Sequence, residues 1–133
     1  MEVNCICVVG AGNMGHQIAL QAAVSGFSVY CTDISIETLQ KAEKFAVKWV
    51  GDRLSKGKLL PADAENIKAR LRFTESLEEA AENADLVIEA AVENVFVKRN
   101  LFATLDRICP QHTILATNSS YIVSSKLADA TGR

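Results

Sequence analysis

Apolar residues along the chain switch repeatedly between the spacing of a strand and that of a helix. Residues 3–9 (VNCICVV) are a short β-rich run that stops at Gly10. Residues 13–25 carry Met14, Ile18 and Ala22 at helical spacing and end at Gly26, a usual helix stop. Residues 27–32 (FSVYCT) read as a strand, with Asp33 after it. Ser35 is placed to cap a long helix from Ile36, whose apolar face is Leu39, Ala42, Phe45, Ala46, Trp49 and Val50. Polar and basic residues take over from Arg53 to Lys58. Pro61 suits the first turn of a helix over 61–70. A short strand over 71–73 and an acidic helix over 76–83 follow. Residues 85–90 (DLVIEA) form a strand whose continuous apolar heart suits a parallel strand covered on both sides. Residues 95–107 are helical, with Val95, Leu101, Phe102, Leu105 and Ile108 as core candidates. A strand over 113–116, a turn at Asn118-Ser119-Ser120 and a helical stretch around 126–128 complete the pattern. This alternation predicts an α/β chain with a parallel sheet, right-handed crossovers and helices on both faces.

A length of 133 residues suits one domain, 1–133, with no internal repeat or linker. Hydrophobic residues make up 49% and charged residues 23%, which excludes a disordered chain. The 14 basic and 16 acidic side chains give a net charge of -2, so no nucleic-acid partner is expected. No apolar run approaches the ~20 residues of a membrane span. The N-terminus lacks the basic patch and apolar core of a signal peptide, and a cytoplasmic location is the expectation. The four cysteines, Cys5, Cys7, Cys31 and Cys109, fit a reducing compartment as small buried hydrophobes. Their spacing suggests no metal site, and none has a basic neighbour that would make it a nucleophile.

Gly10-Ala11-Gly12-Asn13-Met14-Gly15 is the strongest local signal. It lies directly after a strand and opens a helix, the context in which G-x-G-x-x-G binds a dinucleotide. Gly10 allows the tight turn, Gly12 lets the backbone approach a pyrophosphate, and Gly15 lets helix and strand pack closely. Asp33, at the end of the next strand and about 20 residues on, is placed to accept hydrogen bonds from an adenosine ribose. It would repel a 2′-phosphate, which favours NAD over NADP. A turn with clustered glycines and a surface aspartate is the bland alternative. An adenosyl-methionine methyltransferase is a closer one, but those enzymes usually end their first strand in an acid, and this strand ends Val8-Val9. The fold expected is a Rossmann-type doubly wound parallel sheet.

Two further segments narrow the reading. Leu86-Val87-Ile88-Glu89-Ala90-Ala91-Val92-Glu93-Asn94 is followed by Lys98, and later by Ile114-Leu115-Ala116-Thr117-Asn118-Ser119-Ser120. With the glycine loop and Asp33, this ordered set resembles the 3-hydroxyacyl-CoA dehydrogenases along essentially the whole chain. The resemblance implies that Gly10, Gly12 and the backbone of Asn13 and Met14 hold the NAD pyrophosphate, and Asp33 the ribose. It places Glu93 and Lys98 along the nicotinamide side. Ser120 matches the serine that hydrogen-bonds the substrate 3-oxygen beside the nicotinamide, and Asn118 a turn former. Lys56 matches a lysine that contacts coenzyme A, while Trp49 stands where relatives place a CoA-contacting serine. Glu89 reads as structural.

There are departures. Tyr121 replaces a family serine. The family's catalytic histidine, in an H-F-x-N-P-type segment with a downstream glutamate partner, lies beyond Arg133. His16 is expected at the side or surface of the first helix, and His112 just before a strand; neither is expected to substitute. The resemblance therefore implies an NAD-binding domain cut before the helical substrate and dimerisation domain. Such a piece is expected to bind NAD but to be inactive alone, its small acyl-CoA partner and homodimer belonging to the full-length enzyme, and to leave the strand over 113–116 as an open edge through which two copies could pair. Other β-hydroxyacid or sugar-acid dehydrogenases, and a non-catalytic NAD-binding module, remain alternative readings.

Overall fold

The computed structural model describes residues 2–90 and 94–117. The chain runs β1 (Cys5–Val9), α1 (Asn13–Val24), β2 (Ser28–Thr32), α2 (Ile36–Ser55), α3 (Pro61–Arg70), β3 (Leu71–Thr74), α4 (Leu77–Ala81), β4 (Leu86–Glu89), α5 (Val95–Ile108) and β5 (Ile114–Thr117). The strands form one parallel sheet in the order β3-β2-β1-β4-β5. The chain reverses direction across the sheet after β3, returning to β4 on the far side of β1. Ligands of open α/β sheets bind at such a reversal, outside the carboxyl ends of the strands.

Successive side chains of a strand point to opposite faces, and β1 divides accordingly. Ile6 and Val8 join Val29, Cys31 and the buried faces of α1, α2 and α3 in one core. Cys7 and Val9 join Val87, Ala80 and Ala81 of α4, and Leu105 of α5 in a second. Both faces of the sheet are covered, which is why β1 and β4 read as unbroken apolar runs.

The helices start where capping chemistry places them. Ser35 Oγ accepts from the Thr38 amide at 3.2 Å, Ser76 Oγ from Glu79 at 3.1 Å and Asn94 Oδ1 from Val97 at 3.1 Å. Pro61 begins α3. Helix α4 is shorter than its sequence pattern, because Ser76 serves as the cap and Glu82 ends it. Strand β1 begins at Cys5 rather than Val3, where the Asn4 and Cys5 amides both bond the Asp85 carboxylate. Strand β5 begins one residue late because Thr113 belongs to the turn before it: its amide bonds the Pro110 carbonyl and its hydroxyl the Ala84 carbonyl.

Asp85 ties together the amino ends of three strands. Its Oδ2 accepts from the Asn4 and Cys5 amides at 2.9 and 3.0 Å, and its Oδ1 meets His112 Nε2 at 2.7 Å. The Asn4 amide, the His112 ring and the Cys5 amide hold its carboxyl down to about 2, from an ordinary 3.8. A carboxyl with a lowered folded pKa contributes stability above its unfolded value and loses it as pH falls through the folded one. Urea melts of the wild-type chain are therefore expected to lose stability between about pH 4 and pH 2, and Asp85→Asn to flatten that decline. An unaltered decline in Asp85→Asn would contradict this role.

Among the described residues, no helix is long and apolar enough to cross a membrane, and no group of three His, Cys, Asp or Glu is placed to hold a metal ion.

Candidate functional site

The carboxyl ends of four strands stand level. Val9 is in register with Thr32 on one side and Glu89 on the other, and Glu89 with Thr117. The residues that follow these strands share one rim, and the sequence-predicted glycine loop and Asp33 meet on it.

Gly10 leaves β1 with a φ of 107°, a conformation that favours glycine, and its amide donates to the Thr32 carbonyl at 2.7 Å. The turn brings the Gly10 carbonyl against α1. A Cβ on Gly15 would lie 1.8 Å from that oxygen, so only glycine fits there. Gly12 caps α1 without a side-chain hydrogen bond, and the first turn carries no acidic residue. The positive end of the helix dipole and its leading amides therefore face outward at Gly12, Asn13 and Met14, all exposed. A Cβ on Gly12 would meet nothing within 4 Å, so the space above the loop is open.

The Asp33 carboxylate closes the loop from the other side. Oδ2 accepts from the Ala11 amide and Oδ1 from the Ser35 amide, each at 2.9 Å. One side chain thus fixes the glycine loop to the start of α2. Each oxygen keeps acceptor capacity for further donors. Beneath it, burial and the neighbouring Asp33 charge push the Cys31 thiol up to about 12, and burial pushes Cys7 higher still. Both are inert packing groups.

His16 lies half-buried on the side of α1. Its Nδ1 is 2.7 Å from the Gly12 carbonyl oxygen, so that nitrogen carries the proton. The ring meets Phe45 edge to face with centroids 4.8 Å apart, and Nε2 is buried with no hydrogen-bond partner among the described residues. Position 16 is one turn into α1 on the side that faces α2. Phe45, expected in the core, is 43% exposed and covers the imidazole instead.

Lys98 and Glu89 form a contact that the sequence reading missed. Lys98 Nζ is 2.7 Å from Glu89 Oε1, with both side chains almost wholly buried. Thr117 Oγ1 donates to Glu89 Oε1 at 2.7 Å and stands 3.5 Å from Lys98 Nζ. These residues come from β4, α5 and β5, and no local pattern joins them. One signal was available: a glutamate closing an otherwise apolar, doubly covered strand needs a buried donor, and Lys98 is the first cation of the next helix. Lys56 lies elsewhere. It follows α2, whose 20 residues carry it about 30 Å from the loop end of that helix. There it lines a cleft of about 200 Å³ with Trp49, Asp52, Arg53 and Lys58. The Arg53 guanidinium sits over the Trp49 ring at 4.5 Å. His112 stands at the opposite end of the sheet with Asp85. Glu93, Asn118, Ser119, Ser120 and Tyr121 lie outside the described residues, as does the stretch around 126–128.

A parallel sheet that reverses after β3, an uncapped helix behind a left-handed glycine and an acid clamped at the end of β2 define a dinucleotide-binding α/β domain of Rossmann type. Residues 5–133 match the family described as 3-hydroxyacyl-CoA dehydrogenase, NAD binding domain, and the chain belongs to that family. It is 42% identical over its full length to a probable 3-hydroxybutyryl-CoA dehydrogenase of Bacillus subtilis, covering 46% of that protein. The crystal structure of (S)-3-hydroxybutyryl-CoA dehydrogenase from Ralstonia eutropha superposes with a TM-score of 0.89 at 35% identity, over 99% of this chain and 46% of the other. A 3-hydroxybutyryl-CoA dehydrogenase from Escherichia coli gives 0.90 at 39% identity, over 96% and 27%. The chain spans about half the length of the first two relatives. The family's domain binds NAD, and the open loop, its outward amides and the clamped carboxylate fit that cofactor.

Proposed function

We propose that residues 1–133 form one NAD-binding domain that serves the oxidation of the 3-hydroxyl of an L-3-hydroxyacyl-CoA thioester to the 3-oxo form. The observation that carries this is the Asp33 clamp, which holds a ribose-binding acid and the pyrophosphate loop in one rigid arrangement. Bound NAD+ supplies the acceptor for the hydride that leaves C3. Gly10, Gly12 and the amides of Asn13 and Met14 bind its pyrophosphate, with Gly15 permitting the turn. Asp33 binds the adenosine ribose, and Glu93 and Lys98 line the nicotinamide side. Ser120 orients the substrate 3-oxygen, and Lys56, in its basic cleft, meets the phosphates of coenzyme A. The base that takes the 3-hydroxyl proton is a histidine outside residues 1–133, oriented by a carboxylate. The complete enzyme is a cytoplasmic homodimer, and two copies of this chain pair through the outer edge of β5.

Titration with NADH, followed by acetoacetyl-CoA and run beside sedimentation at rising concentration, tests the reading. Saturable NADH binding, negligible turnover and concentration-dependent self-association are expected. Absent NADH binding, or turnover close to that of an intact relative, would overturn it. A strictly monomeric chain would remove the edge pairing alone.

A further inference from the structure

The rim leaves a bound dinucleotide one direction to run. With its ribose at Asp33 after β2 and its diphosphate at the loop after β1, the remaining half extends over the ends of β4 and β5, which are level with both. Glu89, Lys98 and Thr117 lie there. We propose that Glu89 is a positioning residue whose carboxylate holds and offsets the Lys98 ammonium beneath the nicotinamide end, so that the pair sets the balance between oxidised and reduced cofactor. This rests on the NAD-binding reading above.

A buried ion pair is a poor device for stability alone. Two desolvated charges of this kind are often replaced by apolar side chains without loss, and Val87, two residues before Glu89 on β4, and Leu105, two turns after Lys98 on α5, are themselves fully buried apolar side chains. What distinguishes a charged floor from an apolar one is its field. Oxidised nicotinamide carries a positive charge and reduced nicotinamide carries none. An ammonium without its counter-ion opposes the oxidised form and leaves the reduced form untouched. A carboxylate from which that cation has been removed does the reverse. With Lys98 Nζ 2.7 Å from Glu89 Oε1, the two fields largely cancel above the floor. The Thr117 hydroxyl, donating to the same Glu89 oxygen, fixes the carboxylate at the end of β5.

The test is a charge cycle read in binding, with NAD+, NADH and ADP-ribose titrated separately into the 133-residue chain. Glu89→Gln and Lys98→Met are each read against wild type at the same pH. A unit charge acting through an effective dielectric of ~20 at roughly 10 Å corresponds to about tenfold in affinity. Glu89→Gln is expected to raise the ratio Kd(NAD+)/Kd(NADH) by about that factor and Lys98→Met to lower it by a similar one. The double variant is expected to return close to the wild-type ratio. ADP-ribose, which lacks the nicotinamide, is expected to bind all variants alike. Equal weakening of both cofactor forms in each variant, or shifts of the same sign, would overturn the proposal and leave the pair purely structural. If one single variant fails to fold by circular dichroism, the sign of the other decides. A wild-type chain that binds none of the three ligands overturns the NAD-binding reading together with this one; binding with unmoved ratios overturns this one alone.

Discussion

Gly15→Ala is expected to destabilise the chain by about 3 kcal/mol, among the largest costs of a single added methyl group. The new Cβ would stand 1.8 Å from the Gly10 oxygen and 2.8 Å from its carbonyl carbon, both backbone atoms. No rotamer change relieves such a clash. The loop cannot retreat either, since the Gly10 amide is bonded to the Thr32 carbonyl and the Ala11 amide to Asp33. Gly12→Ala is the matched control: the same methyl group there meets nothing within 4 Å. Urea melts of the two variants should separate clearly, with Gly12→Ala near wild type and Gly15→Ala far below it. Equal stabilities would mean that α1 and the end of β1 are not packed as described.

Asp33→Ala is expected to weaken NAD+ binding by about a hundredfold, the loss of roughly two charge-assisted hydrogen bonds. Two effects combine. The ribose loses its acceptor, and the Ala11 and Ser35 amides lose the oxygens that fix them. Asp33→Asn restores one acceptor and should recover part of the affinity. Asp33→Ser, which removes the negative charge while keeping a hydroxyl, should narrow the gap between NAD+ and NADP+. Titration of the three variants with both nucleotides checks the order; identical affinities for wild type and Asp33→Ala would remove Asp33 from the site.

What the sequence made legible is local. Ser35, Pro61 and the glycine loop announce their own elements, because a cap, a fixed φ or a missing Cβ acts within a few residues. The strand alternation was legible for a similar reason: burial on both faces writes unbroken apolar runs such as CICVV. The features that escaped are contacts between distant elements. Asp85 reads as an ordinary strand-start acid until β1 and β5 bring the Asn4 amide and His112 to it. His16 reads as a side or surface residue of α1, and nothing in its own segment announces the contact with Phe45 of α2. Lys98 and Glu89 each read plausibly alone, yet their meeting, with Thr117 of β5 opposite Glu89 of β4, depends on a register that no single segment encodes. The ends of β1, α4 and β5 also moved, each where a side-chain hydrogen bond claimed a backbone group.

The most direct test is isothermal calorimetry of the 133-residue chain with NAD+, repeated with NADP+ and with Asp33→Ala. A saturable heat with NAD+, a weaker one with NADP+ and a loss of about a hundredfold in the variant are predicted. No heat with NAD+, or a variant that binds as the wild type does, would contradict the assignment of this rim to a dinucleotide.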